Sequence, residues 1–221
     1  MEKEQKTGSS ILVKVSRIIS GVFTPIIVPF GAFLILFLFS YLRIMPTQYK
    51  LVVLGIVCSF TILIPILIIY LYGRMNGISL KEIGEQKRRL MPYLFTLISY
   101  FFCILMMCRL NIPYYMTGIL LSIFIVMLLF TFINLRWKIS VHAAGTGIAT
   151  GIIVALSAMF DSNPIWWLCL AILIAGAVGT SRIILHKHTL SQILAGFTVG
   201  LVCSILVLHP ATSYFFKILL F

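Results

Sequence analysis

Long apolar runs alternate with short polar connections along most of the chain. Seven such runs cover roughly 22–42, 51–73, 93–109, 114–135, 143–160, 165–181 and 190–208. A helix of about 20 apolar residues crosses the hydrocarbon layer of a bilayer. Lipid offers no hydrogen-bond partner to backbone groups, so continuous apolar runs of this length predict helices. The pattern predicts an all-α fold: a polytopic transmembrane helix bundle of six or seven spans.

The number of spans depends on the N-terminal part of the chain. The first apolar run contains Pro25 and Pro29, and it is expected either to cross the membrane or to lie partly at its interface. Residues 1–11 are predicted to form a polar, disordered tail, followed by an amphipathic lead-in with Lys14 and Arg17 near the headgroups. The runs within 93–135 are expected to form two spans or a shallow hairpin. Residues 12–221 are predicted to form a single integral membrane domain.

Composition excludes a soluble globular protein. Charged residues make up 10% of the chain and hydrophobic residues 61%, whereas a soluble domain has roughly 25% charged residues. The 17 basic residues greatly outnumber the five acidic ones. They cluster between the apolar runs, which favours anionic headgroups of the lipid bilayer or a phosphorylated substrate as partners and argues against nucleic acid.

The basic residues are distributed unequally between the two sides of the predicted bundle. If the N-terminus and every second connection share one side, that side holds 13 of the 17 basic residues. The positive-inside rule makes it cytoplasmic. The sequence therefore predicts an integral membrane protein, and we expect it in the inner (cytoplasmic) membrane of a bacterium. The remaining basic residues are Arg43, Lys50, Arg109 and Lys217.

Three polar clusters lie on this basic side, at 81–92, 138–142 and 181–192, and they combine cations, histidines and serines. Beyond Glu85 the only acidic residue is Asp161, on the opposite side. Sites for Mg²⁺ or Ca²⁺ usually need carboxylates, so the inventory favours chemistry with no metal and no other cofactor. Arginine and lysine bind phosphate oxygens, and histidine can attack phosphorus or protonate a leaving oxygen.

The order and spacing within the clusters resemble the three motifs of the phosphatidic acid phosphatase type 2 superfamily, which includes the vanadium haloperoxidases. The third motif is Ser-Arg, five residues, His, three residues, Asp, and this chain has Ser181, Arg182, His188 and Gln192 at that spacing. The second motif, Pro-Ser-Gly-His, is matched by Ser140 and His142. The first, Lys, six residues, Arg-Pro, is matched by Lys81 with Arg88 or, in an alternative register, by Arg89 with Pro92.

This resemblance implies a phosphatase-like core over about 74–208 and a role for each matched residue. His188 would be the nucleophile that forms a phosphohistidine, and His142 the general acid. The phosphate oxygens would be bound by cations and serine hydroxyls: Lys81, Arg88 or Arg89, Ser140, Ser181 and Arg182. The implied substrate is a lipid phosphate monoester or a polyprenyl pyrophosphate, hydrolysed without metal. In this superfamily the active site often faces the outer or lumenal side, whereas the charge distribution favours the cytoplasmic side, so both orientations remain open.

One departure from the motifs bears on activity. Gln192 occupies the position of the motif's aspartate, four residues after His188. Its Oε1 atom can accept the imidazole N–H and orient the ring, but a neutral amide does not stabilise an imidazolium as a carboxylate does. In serine proteases the corresponding replacement lowers the rate about 10⁴-fold. The alternative hypothesis is therefore a weak or inactive homologue that acts as a lipid-headgroup binder or membrane scaffold.

Overall fold

The computed structural model describes residues 2–24, 26–39, 41–77, 90–209 and 212, and these residues form an all-α structure. A short 3₁₀ turn, Tyr41–Ile44, separates the second and third helices. The helices are α1 (Glu2–Val22), α2 (Val28–Phe39), α3 (Thr47–Met75), α4 (Leu90–Arg109), α5 (Tyr114–Asn134), α6 (Val141–Met159), α7 (Ile165–Ile184) and α8 (Leu190–Leu208).

Within the described residues, the six helices from α3 to α8 are long and apolar enough to cross a membrane. They contain 19 to 29 residues, with mean hydropathies between 1.6 and 2.9. The predicted all-α fold is confirmed, and the described residues include six helices that could cross a membrane. Both helices within 93–135 have the length of a span, which favours two spans over the shallow hairpin. The chain is an integral membrane protein.

The N-terminal region differs from the prediction in one place and leaves a second prediction open. Helix α1 begins at Glu2, so residues 2–11 are helical where disorder was expected. The apolar run at 22–42 contains only the 12 residues of α2 as α-helix, a length of about 18 Å at 1.5 Å per residue. That is shorter than the ~30 Å hydrocarbon layer, so α2 alone does not have the length of a span. The seventh span stays a prediction, because Val28 lies beside Gly145 near the start of α6 whereas Tyr49 donates to Met116 near the start of α5. Pro29 occupies the second position of α2, where a missing N–H breaks no intrahelical hydrogen bond.

Helix α3 contains one π-helical turn, Ser59–Leu63, just before Pro65. The N–H of Ile64 bonds to the carbonyl of Ser59, five residues back, instead of to the carbonyl of Phe60. The side-chain hydroxyl of Ser99 in α4 donates to that Phe60 carbonyl. The hydroxyl thus replaces the lost helical donor, as membrane helices require where their backbone pairing is interrupted.

The hydrophobic core is centred on α5. Two-thirds of its most apolar window is buried, a larger share than in any other described span. Helices α2, α4 and α8 pack around it, and Phe33, Tyr100 and Met116 are almost completely buried. The outer faces of the bundle carry exposed apolar residues such as Leu173 and Leu206, as expected for surfaces that contact lipid.

Helices α6 and α8 make the most extensive contact in the structure. Glycines on both helices bring the backbones together. A Cβ atom at Gly147 would overlap the carbonyl oxygen of Phe197, and one at Gly200 would overlap the carbonyl oxygen of Ala144. Small residues allow membrane helices to approach closely, and the glycines of α6 form the surface that meets α8.

We expect Gly147→Ala to weaken the bundle, because the added methyl group would force two backbones apart. Overpacking of this kind costs about 1–3 kcal/mol. Gly176→Ala is the matched control, since a Cβ at Gly176 meets nothing within 4 Å and alanine favours the helix by up to about 1 kcal/mol. Thermal unfolding in detergent should show a lower midpoint for Gly147→Ala only. Equal midpoints would contradict the close contact.

Candidate functional site

Two helix N-termini meet at one end of the bundle, at the connections between α5 and α6 and between α7 and α8. The backbone N–H of Ser140 donates to the carbonyl of Gln192 at 3.3 Å. Gly196 lies beneath the carbonyl of Ser140, where a Cβ would overlap it. The segments that carry the second and third motifs are therefore in direct backbone contact.

Ser140 forms the N-cap of α6. It is fully buried, and its Oγ accepts a hydrogen bond from the N–H of Ala143 at 3.4 Å, a bond that leaves the hydroxyl hydrogen able to donate. His142 is the second residue of α6 and is half-buried. A helix N-terminus carries about half a positive charge, and two adjacent N-termini favour an anion between or above them.

His188 lies one residue before the N-cap of α8. It is buried, and its Nδ1 is 3.0 Å from Oε1 of Gln192. The same Oε1 accepts the backbone N–H of Thr189 at 3.3 Å, which completes a capping box of Thr189 with Gln192 at the start of α8. The expected contact between His188 and Gln192 is present, although His188 precedes the helix instead of belonging to it.

The capping box fixes the protonation pattern of the imidazole. A backbone N–H can only donate, so the amide atom that faces Thr189 must be the oxygen of Gln192. This oxygen can only accept, and Nδ1 of His188 therefore carries the hydrogen in the contact. When the imidazole is neutral, its Nε2 keeps a lone pair and is the nucleophilic atom.

A left-handed residue ends α7 and directs the chain toward His188. His186 has φ of 51°, and the N–H of Lys187 bonds to the carbonyl of Arg182. Asn111 and Asp161 end α4 and α6 in the same conformation. This is a common way to end helices, so His186 has a structural explanation and its exposed ring is not required for the site.

The two residues at the start of the third motif have intramolecular partners. The Ser181 hydroxyl donates to the carbonyl of Ala177 at 2.7 Å, and its side chain is buried. Arg182 Nη1 donates to Oγ of Ser20 in α1 at 2.6 Å. Arg182 is therefore directed toward α1, and Ser181 would have to rotate its hydroxyl before it could donate to a phosphate.

Sequence reasoning did not identify Ser20 or Thr189. Ser20 and Ser16 are buried on one face of α1, and their four-residue spacing on an amphipathic helix was the available signal. For Thr189 the signal was the Thr-x-x-Gln pattern of a capping box. Three predicted phosphate ligands, Lys81, Arg88 and Arg89, lie outside the described residues.

The site combines a buried imidazole whose tautomer is fixed with two helix N-termini, and His142 lies in the first turn of α6. Helix N-termini favour an anionic ligand. In the part of the chain that the structure describes, no three His, Cys, Asp or Glu residues are grouped so that they could hold a metal ion. Comparison with known proteins found no family model, no curated protein and no solved structure that matches this chain.

We expect the neutral His188 side chain to carry its hydrogen on Nδ1, because Gln192 can only accept there. Nitrogen NMR of histidine-labelled protein, assigned with His188→Ala, measures this directly. Gln192→Leu should give a mixture of tautomers. Thr189→Ala, which keeps the backbone N–H and the amide, should keep the Nδ1–H form. A wild-type Nε2–H tautomer would contradict the arrangement.

Proposed function

We propose that the protein is a membrane lipid phosphatase that hydrolyses a lipid phosphate monoester or a polyprenyl pyrophosphate through a phosphohistidine. The observation that carries this proposal is the contact of His188 Nδ1 with Gln192 at the meeting N-termini of α6 and α8. This contact leaves Nε2 as the basic atom, beside the segment that carries His142. The motif spacing seen in the sequence supports the same assignment.

The reaction has two steps. Nε2 of His188 attacks phosphorus, the bond from phosphorus to the leaving oxygen breaks, and His142 gives that oxygen a proton. Water, deprotonated by His142, then attacks the phosphohistidine and releases inorganic phosphate and free His188. The helix N-termini and the Ser140 hydroxyl stabilise the charge on the equatorial oxygens. Lys81 and Arg88 or Arg89 supply positive charge, Arg182 would join them only after leaving Ser20, and no metal takes part.

A lipid is the favoured substrate because the described connections between the spans are short. The described connections that follow α4, α5, α6 and α7 contain only four to six residues, so they form no domain that could recognise a soluble substrate. The leaving group is then a lipid alcohol, or a polyprenyl phosphate when the substrate is a pyrophosphate. The excess of basic residues favours the cytoplasmic side for this end of the bundle, in a bacterial inner membrane.

A second candidate is a non-enzymatic protein that binds lipid headgroups. Two observations favour it. Ser181 and Arg182 already have intramolecular partners, and the capping box accounts for Gln192 without catalysis. In this case the N-termini of α6 and α8 would bind the phosphate of a lipid headgroup without hydrolysing its ester bond.

Phosphate release by purified protein in detergent and EDTA distinguishes the two candidates. The lipids are phosphatidic acid, phosphatidylglycerophosphate and undecaprenyl pyrophosphate. We expect release by the wild type and by His209→Ala, a control histidine that is exposed at the end of α8. His188→Ala should lose about 10³-fold or more, because it removes the nucleophile. Equal release by His188→Ala would refute the phosphohistidine, and lipid binding without release would support the second candidate.

Gln192→Glu should raise the rate of the wild-type reaction. Glutamate can keep the capping box and the contact to Nδ1, and its charge stabilises the imidazolium. The tautomer is already correct, so we expect a gain on the order of tenfold, equivalent to ~1.4 kcal/mol. Gln192→Leu, which removes both contacts, should lower kcat. An unchanged rate in both variants would exclude Gln192 as the residue that positions His188.

A further inference from the structure

We propose a second anion site, separate from the histidine site, in which the cavity between α1 and the end of α7 binds the phosphate of an anionic phospholipid. The proposal does not depend on phosphatase activity. The cavity has a volume of about 620 Å³, within the range of ligand pockets. It is lined by Val13, Arg17, Ser20, Arg182, His186 and Lys187, among others.

The cavity is distinct from the histidine site. Of the described residues assigned to that site, only Arg182 lines the cavity; Ser140, His142, Ser181, His188 and Gln192 do not. Its wall on the other side is α1, which carries none of the three motifs. Apart from Arg182, a ligand in the cavity would therefore contact residues for which the motifs provide no role.

The charge of the cavity favours an anion. Arg17, Arg182 and Lys187 are among its described lining residues, none of which is acidic. The only carboxylate among the side chains that the structure describes is Asp161, before α7 at its opposite end. Glu4 is 13 residues before Arg17 in the same helix, which places their Cα atoms about 20 Å apart at 1.5 Å per residue. The carbonyl end of α7 offsets only part of the positive charge.

Exposed apolar side chains identify a lipid as the source of the phosphate. Ile18, next to Arg17, is 65% exposed, and Ile183, next to Arg182, is 42% exposed. The exposed residues of α1 also include Ile11, Leu12, Val15 and Val22. An amphipathic helix with this composition lies at the bilayer interface. Acyl chains can contact these side chains while the headgroup enters the basic cavity. A free phosphate ion has no apolar part and would gain nothing from these exposed side chains.

Arg182 is held in place before any ligand binds. Its Nη1 donates to Ser20 at 2.6 Å, so α1 fixes the guanidinium at the wall of the cavity. Side chains ordered in advance lose less entropy on binding. Because the contact joins α1 to α7, occupation of the cavity by a lipid would also tie α1 to the bundle.

The test is a titration of delipidated protein in detergent, followed by native mass spectrometry, with phosphatidylglycerol and with phosphatidylcholine of the same acyl chains. Phosphatidylglycerol is a phosphodiester and is outside the proposed substrate class. We expect tighter binding of phosphatidylglycerol than of phosphatidylcholine. Each cation near the membrane surface contributes about fivefold in affinity, so Arg17→Gln should weaken phosphatidylglycerol binding about fivefold, and Arg17→Gln with Lys187→Gln about 25-fold.

Lys14→Gln is the matched control, because Lys14 lies on the same helix, is exposed, and does not line the cavity. It should bind like the wild type, and Arg17→Lys should retain most of the affinity. Equal losses in Lys14→Gln and Arg17→Gln, or no preference for phosphatidylglycerol, would overturn the proposal. Loss of binding in His188→Ala would place the lipid in the histidine site instead. Displacement by millimolar inorganic phosphate would make the free ion the occupant.

Discussion

The close approach of α6 and α8 is the constraint on which the candidate site depends. Apolar burial drives little association between helices already in lipid, so packing and hydrogen bonds must hold them together. Gly147 and Gly151 on α6, and Gly196 and Gly200 on α8, lie where a Cβ would collide with the other helix or its cap. Because the Ser140 carbonyl lies over Gly196, the start of α6 is seated directly on the first turns of α8. The relative position of the segments that carry His142 and His188 therefore depends on glycine at these four positions.

Gln192 links helix formation to the chemistry of the imidazole. One oxygen atom caps α8 through Thr189 and accepts from His188. The ring is consequently oriented by a group that is itself held by the backbone, and its tautomer is fixed without a charged partner. A neutral amide at this position avoids the burial of an unpaired negative charge. It also lacks the stabilisation that a carboxylate would provide to an imidazolium.

The sequence was sufficient to predict the six spans, because each is a continuous apolar run of membrane length. It was misleading for residues 2–11, which are helical where disorder was expected. Hydropathy also did not show that the helix within 22–42 begins only at Val28. The contact of His188 with Gln192 was predictable because the residues are four apart. The bond from Arg182 to Ser20 joins positions 162 residues apart and depends on where α1 packs. The Ser181 hydroxyl, by contrast, donates to the carbonyl of Ala177 one turn earlier in the same helix, a local bond that serine commonly forms inside helices.

The capping box has an evolutionary consequence. Its third helical position requires a side chain long enough to reach back to the N-cap backbone, which glutamine and glutamate provide and aspartate does not. The codons for glutamine and glutamate differ by a single base. A lineage carrying this α8 could therefore gain or lose a carboxylate beside His188 in one mutational step without losing the helix start, whereas replacement of Gln192 by aspartate would require two base changes and a different cap.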